Sequence, residues 1–158
     1  MGLLHDYSKD QYLLGLGSPR ASNEHQEAIG DIYYIIRRHC EVAGIPGKPL
    51  TEPAILKHIP SKPNQERTPD VVYYDGGGIA RMFVEVEKYR HRARLRRRIG
   101  EMMQRLPHVL EAYIFYYDKN MWEDFVNPGA PSESYSRLLQ LELSAATHGK
   151  SYLPAGKK

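Results

Sequence analysis

The sequence predicts a mixed α/β (α+β) domain with one mixed four-stranded sheet flanked by helices. Two segments carry apolar residues at helical spacing, and short β-rich runs lie between and after them. The chain has 158 residues, of which 41% are hydrophobic, so one domain with a sizeable core is expected. We predict an N-terminal extension over 1–21, a single domain over 22–147 and a mobile tail over 148–158.

The first helix is predicted over 22–44. Asn23 and Gln26 have the spacing of a capping box, and Gly44 supplies a C-terminal stop. A short strand follows in 50–59, where a proline favours an edge or a bulge. The chain therefore begins with a helix that leads into a sheet.

A β-hairpin is predicted next, with strands in 70–75 and 79–88. Gly76 to Gly78 separate them, and glycine accepts the positive φ that tight turns need. A second helix in 91–106 shows apolar residues at i, i+4, i+7 and i+11. The remaining predicted elements are a strand in 108–118 and a last helix in 132–146.

Three acidic residues, Asp70, Glu85 and Glu87, fall inside the predicted hairpin. Side chains alternate along a strand, so Glu85 and Glu87 share one face. A turn at the glycines brings Asp70, at the start of the first strand, near the end of the second. We therefore expect three carboxylates to converge at one end of the hairpin.

Such a cluster repels itself, and partial burial would raise at least one pKa unless a cation neutralised it. Mg²⁺ or Mn²⁺ is the expected partner, because hard divalent ions take oxygen ligands and often bind carboxylates together with phosphate oxygens. An ion of this kind can polarise a phosphodiester and lower the pKa of a bound water. The carboxylates therefore suggest Asp70, Glu85 and Glu87 as metal ligands and catalytic residues.

An arginine run directly follows the acidic strand. It comprises Arg90, Arg92, Arg94, Arg96, Arg97 and Arg98. No acid interrupts this run, and solubility alone does not require so dense a patch. We expect these side chains to bind a nucleic-acid backbone, with DNA as the partner and RNA not excluded.

These residues resemble the PD-(D/E)XK nuclease superfamily. Pro69-Asp70, the fourteen residues 71–84 and Glu85-Val86-Glu87 match its motif over about Ser22 to Asp118. The resemblance implies a restriction-endonuclease-like core in the order αβββαβ, with metal bound at Asp70 and Glu85. Glu87 departs from the lysine that is usual at its position, although some members carry glutamate there.

Within this superfamily the chain is similar to replication-relaxation proteins of plasmids and mobile elements. Their pattern adds a histidine early in the first helix, matched here by His25. The weaker site candidates are His25, Glu27 and Lys88, with Glu52 at similar standing. A core role is the simpler interpretation of His25, and Lys88 is expected to point away from the carboxylates unless a bulge intervenes.

The cysteine content and hydropathy exclude several other classes. Cys40 is the one cysteine, and no Cys/His spacing suits a structural zinc site. No run approaches the length of a membrane span, so we expect a cytoplasmic protein without membrane contact. A homodimer is compatible with the resemblance, but no residue marks a dimer surface.

Three functions remain open from the sequence. The first is a divalent-metal-dependent deoxyribonuclease. The second is a non-catalytic nucleic-acid-binding protein of a plasmid, phage or archaeal virus that keeps the nuclease-like core. The third is a protein-interaction domain in which the acidic hairpin and the basic helix pair with each other or with a second subunit. The choices of DNA or RNA and of internal or end cleavage are also open.

Overall fold

The computed structural model describes residues 22–51, 69–128 and 131–154. Two helices and seven strands lie in these ranges. They are α1 (Asn23–Ala43), β1 (Lys48–Thr51), β2 (Val71–Tyr74), β3 (Ala80–Glu87), α2 (Arg92–Arg105), β4 (Glu111–Tyr116), β5 (Met121–Asp124), β6 (Tyr135–Ser136) and β7 (Leu141–Glu142). Short 3₁₀ turns, Tyr89–His91 and Leu143–Ala146, precede α2 and follow β7.

The main sheet is mixed and has the strand order β1-β2-β3-β4-β5. Strands β1, β2 and β3 are antiparallel neighbours, β3 and β4 are parallel, and β4 and β5 are antiparallel. The parallel pair is joined through α2, as a parallel connection requires a crossover. The predicted α/β class is therefore confirmed.

The prediction of four strands was wrong, because β5 adds a fifth. The chain reverses after β4 through Asn120, whose φ of 49° is a left-handed conformation that asparagine tolerates. Trp122 on β5 then packs against Phe115 on β4, with ring centroids 4.9 Å apart. Cross-strand aromatic packing of this kind stabilises an edge strand.

The two faces of the sheet bury separate cores. Ile29, Ile32 and Ile36 of α1 pack with Val84 and other residues on one face. On the other face, three α2 residues pack with Phe83 and Ile114 of the sheet; they are Leu95, Ile99 and Met102. Because successive strand residues point to opposite faces, Glu85 shares the α2 side of β3 with Phe83.

The N-cap of the first helix is one residue earlier than the predicted Asn23. Ser22 is the N-cap, and its hydroxyl accepts a hydrogen bond from the His25 N–H at 3.1 Å. Gly44 ends the helix at φ 71°, and its N–H donates to the Cys40 carbonyl. Cys40 itself is buried in the core.

The first strand differs from the prediction in its start. β1 begins at Lys48, two residues before the predicted segment 50–59. It pairs with β2 on one side and forms an edge of the sheet. Residues 52–59 of the predicted strand, including Glu52, lie outside the described ranges.

The prediction of a C-terminal helix over 132–146 was wrong. This segment forms the β6–β7 hairpin and a 3₁₀ turn, with Gln140 at φ 51°. The buried Glu111 carboxylate accepts hydrogen bonds from the Ser136 hydroxyl and the Leu138 N–H, and Glu142 accepts from three serine hydroxyls. Local side-chain hydrogen bonds of this kind compete with helix formation.

The packed region continues past residue 147, where the domain was predicted to end. Tyr152 is buried in the core on the α1 side of the sheet, and its hydroxyl donates to Asp31 Oδ2 at 2.7 Å. Residues 1–21 and 155–158 lie outside the described ranges. Neither α1 nor α2 combines the length and the apolar character needed to cross a membrane, and no other helix within 22–51, 69–128 and 131–154 does so.

Candidate functional site

Asp70 and Glu85 lie side by side at the open end of the β2–β3 hairpin. Val71 pairs with Val84, so the antiparallel register continues with Asp70 opposite Glu85. The Asp70 N–H donates a hydrogen bond to Glu85 Oε1 at 3.3 Å. The structure therefore brings together two of the three predicted carboxylates.

The backbone of Val86 shows how Asp70 and His25 are positioned. β2 begins at Val71, so no residue of this strand is available to pair with Val86. Instead, Asp70 Oδ2 accepts a hydrogen bond from the Val86 N–H at 2.7 Å, and His25 Nε2 donates to the Val86 carbonyl at 2.8 Å. Both side chains therefore satisfy buried main-chain groups at the end of the sheet.

Glu85 is buried, with 2% of its surface exposed. Arg98 of α2 donates a hydrogen bond to Glu85 Oε2. Burial raises the pKa of Glu85, the neighbouring Asp70 charge raises it further, and Arg98 opposes both, so that the net pKa is about 8. Glu85 is thus a buried carboxyl group held by Arg98 and by the Asp70 N–H.

His25 is mostly buried beside Asp70. Its Nε2 lies 3.7 Å from Asp70 Oδ2, which is an ion-pair distance and too long for a hydrogen bond. Burial acts to lower the pKa of the imidazole, but the Asp70 carboxylate and then the Val86 carbonyl outweigh it, so the pKa is raised. The structure therefore places His25 beside Asp70, with Nε2 bonded to the Val86 carbonyl.

Two buried polar atoms at this site have no hydrogen-bond partner among the described residues. They are His25 Nδ1 and Arg98 Nε. Buried polar groups in folded proteins are nearly always paired, with protein or with water. His25 contacts Asp70 and Arg98 contacts Glu85, so the unpaired atoms belong to the two residues that flank the carboxylate pair.

Glu87 does not join the pair. It is half-buried, and its Oε1 accepts the Lys88 N–H at 2.8 Å. Within residues 22–51, 69–128 and 131–154, no three His, Cys, Asp or Glu side chains are arranged to hold a metal ion. The expected cluster of three carboxylates is therefore a pair, Asp70 and Glu85, with Glu87 separate from it.

Asp70 and Glu85 nevertheless offer carboxylate oxygens, which are the donor atoms that a hard divalent cation prefers. Magnesium is commonly held by one or two carboxylates, together with waters and substrate phosphate oxygens. Asp70 Oδ1 accepts no hydrogen bond from the described part of the chain, whereas Glu85 Oε2 is bound by Arg98. A cation at the pair would therefore compete with Arg98 for Glu85.

Four of the six arginines in the basic run have partners among the described residues, and three of these are Arg92, Arg96 and Arg98. The Arg92 guanidinium carbon lies 4.2 Å from the centroid of the Tyr89 ring, which is a cation–π geometry. Arg96 Nε lies 3.1 Å from Glu123 Oε2. Arg98, already described, binds Glu85.

The fourth, Arg90, is exposed, as are Arg92, Arg94, Arg96 and Arg97. Arg90 Nε donates to His91 Nε2 at 3.3 Å. Arg94 and Arg97 form no ion pair or hydrogen bond with any residue that the structure describes. The six arginines predicted as one patch thus differ in what they are free to bind.

Of the weaker candidates, His25 lies beside Asp70, whereas Glu27 and Lys88 form no contact with the carboxylate pair. Glu27 is exposed on α1, and no contact joins it to Asp70 or Glu85. Lys88 lies just beyond β3, and its ammonium group forms no ion pair within the described ranges. No bulge in the β3–β4 register redirects Lys88 toward Glu85.

The contact between Arg98 and Glu85 was not expected from the sequence. The arginine run predicts a nucleic-acid contact for Arg98, but the apolar stripe of α2 indicates that this residue lies near the sheet. Arg98 follows Leu95 by three residues and precedes Met102 by four, so it borders the buried stripe. An arginine in that position reaches the sheet more readily than one on the outer face.

No family model matches this chain, and no curated protein matches it. The functional interpretation therefore rests on the position, burial and contacts of the residues described above. Two features carry it. They are the carboxylate pair of buried Glu85 and partly buried Asp70, and the exposed arginines of α2.

Proposed function

We propose that this protein is a divalent-metal-dependent nuclease that hydrolyses DNA phosphodiester bonds. The observation that carries the proposal is the Asp70–Glu85 pair, held side by side at a hairpin end and facing an arginine-rich helix. Burying a carboxylate next to a second one is unfavourable, and functional sites are where such costs are commonly found.

Asp70 and Glu85 would hold the ion, which would polarise the phosphodiester and lower the pKa of a bound water. The protein's own contribution is to fix the two carboxylates. Asp70 is held by the Val86 N–H, and Glu85 by the Asp70 N–H and Arg98. Asp70 is thereby positioned before an ion binds, whereas Glu85 would have to release Arg98 to use both of its oxygens.

The fold supports the same proposal. Among the described residues, a helix, three antiparallel strands, a crossover helix and a strand parallel to the third occur in this order. This arrangement is compatible with the αβββαβ order that the resemblance to PD-(D/E)XK nucleases implies. Fold resemblance alone does not establish activity, so the carboxylate pair carries the argument.

A non-catalytic nucleic-acid-binding protein is the second candidate, and two observations favour it. Glu87 stands where the superfamily usually has lysine, and Arg98 already neutralises Glu85 within the protein. A site whose acid is satisfied by its own arginine can persist without a metal ion. In this alternative the exposed arginines of α2 still bind a nucleic-acid backbone.

The deciding experiment is cleavage of labelled linear and circular DNA in EDTA, Mg²⁺ or Mn²⁺. Wild type is compared with Glu85→Gln and Asp70→Asn, which preserve shape, and with Glu101→Gln, which alters an exposed acid of α2. A nuclease should cut in metal alone, lose at least a hundredfold in rate with either site variant, and retain activity with Glu101→Gln. Binding is measured in parallel at matched salt, in EDTA.

The outcomes separate the candidates. Metal-dependent cutting that depends on Asp70 and Glu85 supports the nuclease, and cutting of the circle shows internal cleavage. DNA binding without cutting in any metal supports the non-catalytic candidate instead. A wild-type protein that binds no DNA or RNA at low salt would refute both and favour a protein-interaction domain.

A further inference from the structure

The arginines of α2 lie on different sides of the helix. Residues four apart lie one above the other, so Arg92 and Arg96 share one side and Arg94 and Arg98 share another. The side with Arg92 and Arg96 faces Glu123 of β5 and is called the β5 side. The side with Arg94 and Arg98 faces Glu85 and is called the site side.

The β5 side is engaged within the protein. Glu123 bridges two elements, because its Oε2 binds Arg96 and its Oε1 accepts the Tyr116 hydroxyl at 2.7 Å. Arg92 stacks on Tyr89, whose own ring packs against Tyr116 at 5.2 Å between centroids. These contacts join the start of α2 to β4 and β5.

Arg94 and Arg97 differ from Arg92 and Arg96 in having no partner among the described residues, although all four are exposed. Arg94 lies one turn before Arg98 on the site side, and Arg97 lies on the outer face. Both are exposed. Glu101 is the one acid in α2, and it forms no ion pair with either arginine.

We propose that a nucleic-acid backbone crosses α2 at Arg94 and Arg97, next to the Glu85 site, and that Arg92 and Arg96 anchor the helix without contacting phosphate. This inference rests on the proposed function and defines its binding surface. Guanidinium groups bind phosphate oxygens through paired N–H donors, and Arg94 and Arg97 have those donors free among the described contacts. Arg96 adjoins Arg97 in the chain, but its charge is neutralised by Glu123, so Arg96 is a poorer phosphate ligand.

Two double variants with equal loss of charge test the proposal. Arg94→Gln/Arg97→Gln removes the predicted phosphate contacts, and Arg92→Gln/Arg96→Gln removes the anchors. Binding to a fluorescein-labelled 20-base-pair duplex is measured by anisotropy between 50 and 200 mM salt. EDTA is present throughout, so the readout does not depend on cleavage.

Each lost phosphate contact reduces the slope of log K against log salt by about 0.9 for duplex DNA. The Arg94/Arg97 variant should therefore lose about 1.8 in slope, and its fall in affinity across this salt range should be about twelvefold smaller than that of wild type. The Arg92/Arg96 variant should keep the wild-type slope and unfold at a lower temperature. Circular dichroism checks that both variants are folded.

Equal loss of slope in the two variants, with wild-type binding intact, would overturn this inference and leave the nuclease proposal standing. A larger loss in the Arg92/Arg96 variant would overturn it as well. Absence of wild-type binding would refute the proposed function and this inference with it. Loss of slope confined to the Arg94/Arg97 variant would establish the surface, whether or not the protein cuts DNA.

Discussion

Replacing Glu85 by glutamine should stabilise the metal-free protein at pH 8. Glutamine keeps the shape of the side chain, and its one amide oxygen can replace the Glu85 oxygen that accepts from Arg98, at the cost of the weaker 3.3 Å bond from the Asp70 N–H. It removes a charge that burial disfavours. A site built for a ligand often costs stability in this way.

The magnitude follows from the pKa of Glu85. Folding raises this pKa from 4.5 to about 8, first because the carboxyl is buried and next because Asp70 lies beside it, against the opposing charge of Arg98. Between these values the folded state holds a proton that the unfolded state has lost, so stability falls as pH rises. A span of about 3.5 units at about 1.36 kcal/mol each gives a loss of about 5 kcal/mol once Glu85 is fully ionised.

Urea unfolding at pH 5, 6.5 and 8 in EDTA measures the effect. The difference in unfolding free energy between Glu85→Gln and wild type should grow by about 4 kcal/mol from pH 5 to pH 8. His25, whose pKa is also raised, titrates in both proteins, so the comparison isolates Glu85. Glu87→Gln serves as the matched control for removing one negative charge near the end of β3. Parallel pH profiles for Glu85→Gln and wild type would refute the reasoning.

Two further predictions concern stability. Arg98→Met removes the counterion that lets Glu85 ionise in the folded protein, and its cost in urea unfolding should be about 2 kcal/mol larger at pH 9.5 than at pH 5, where Glu85 holds a proton in both proteins; equal losses would contradict this. Gly47→Ala should cost about 2 kcal/mol in thermal unfolding, because the new Cβ would lie 2.3 Å from the Tyr74 carbonyl oxygen, a backbone atom that cannot easily move. Gly77→Ala is its control, since that Cβ would meet its nearest neighbour at 3.4 Å, and a similar loss there would argue against the close contact as the cause.

Much of the fold was predictable because its signals are local. The stripe of Ile29, Ile32 and Ile36 and the stop at Gly44 define α1 without reference to the rest of the chain. The glycines before β3 likewise define the hairpin, and its register then places Asp70 opposite Glu85. Apolar residues that repeat every 3.6 or every two positions predict a helix or a strand whatever the tertiary contacts are.

The parts that were missed depend on distant contacts. The segment predicted as a last helix is apolar at suitable spacing, but Glu111 of β4, 25 residues before Ser136, draws it into a hairpin. Nor could the sequence say which arginine reaches Glu85, because that depends on how α2 is rotated on the sheet. Arg98 occupies that position only once Leu95 and Ile99 are packed.

The pairing of Val86 affects how mutations at this site should be read. Because Asp70 and His25 replace a missing strand at Val86, truncating either residue exposes a main-chain group as well as removing a polar side chain. The loss of activity in an alanine variant could therefore come from a disordered end of β3 and not from the loss of a catalytic group. Asparagine at position 70 keeps an oxygen for the Val86 N–H, so its effect on turnover can be assigned to the missing charge.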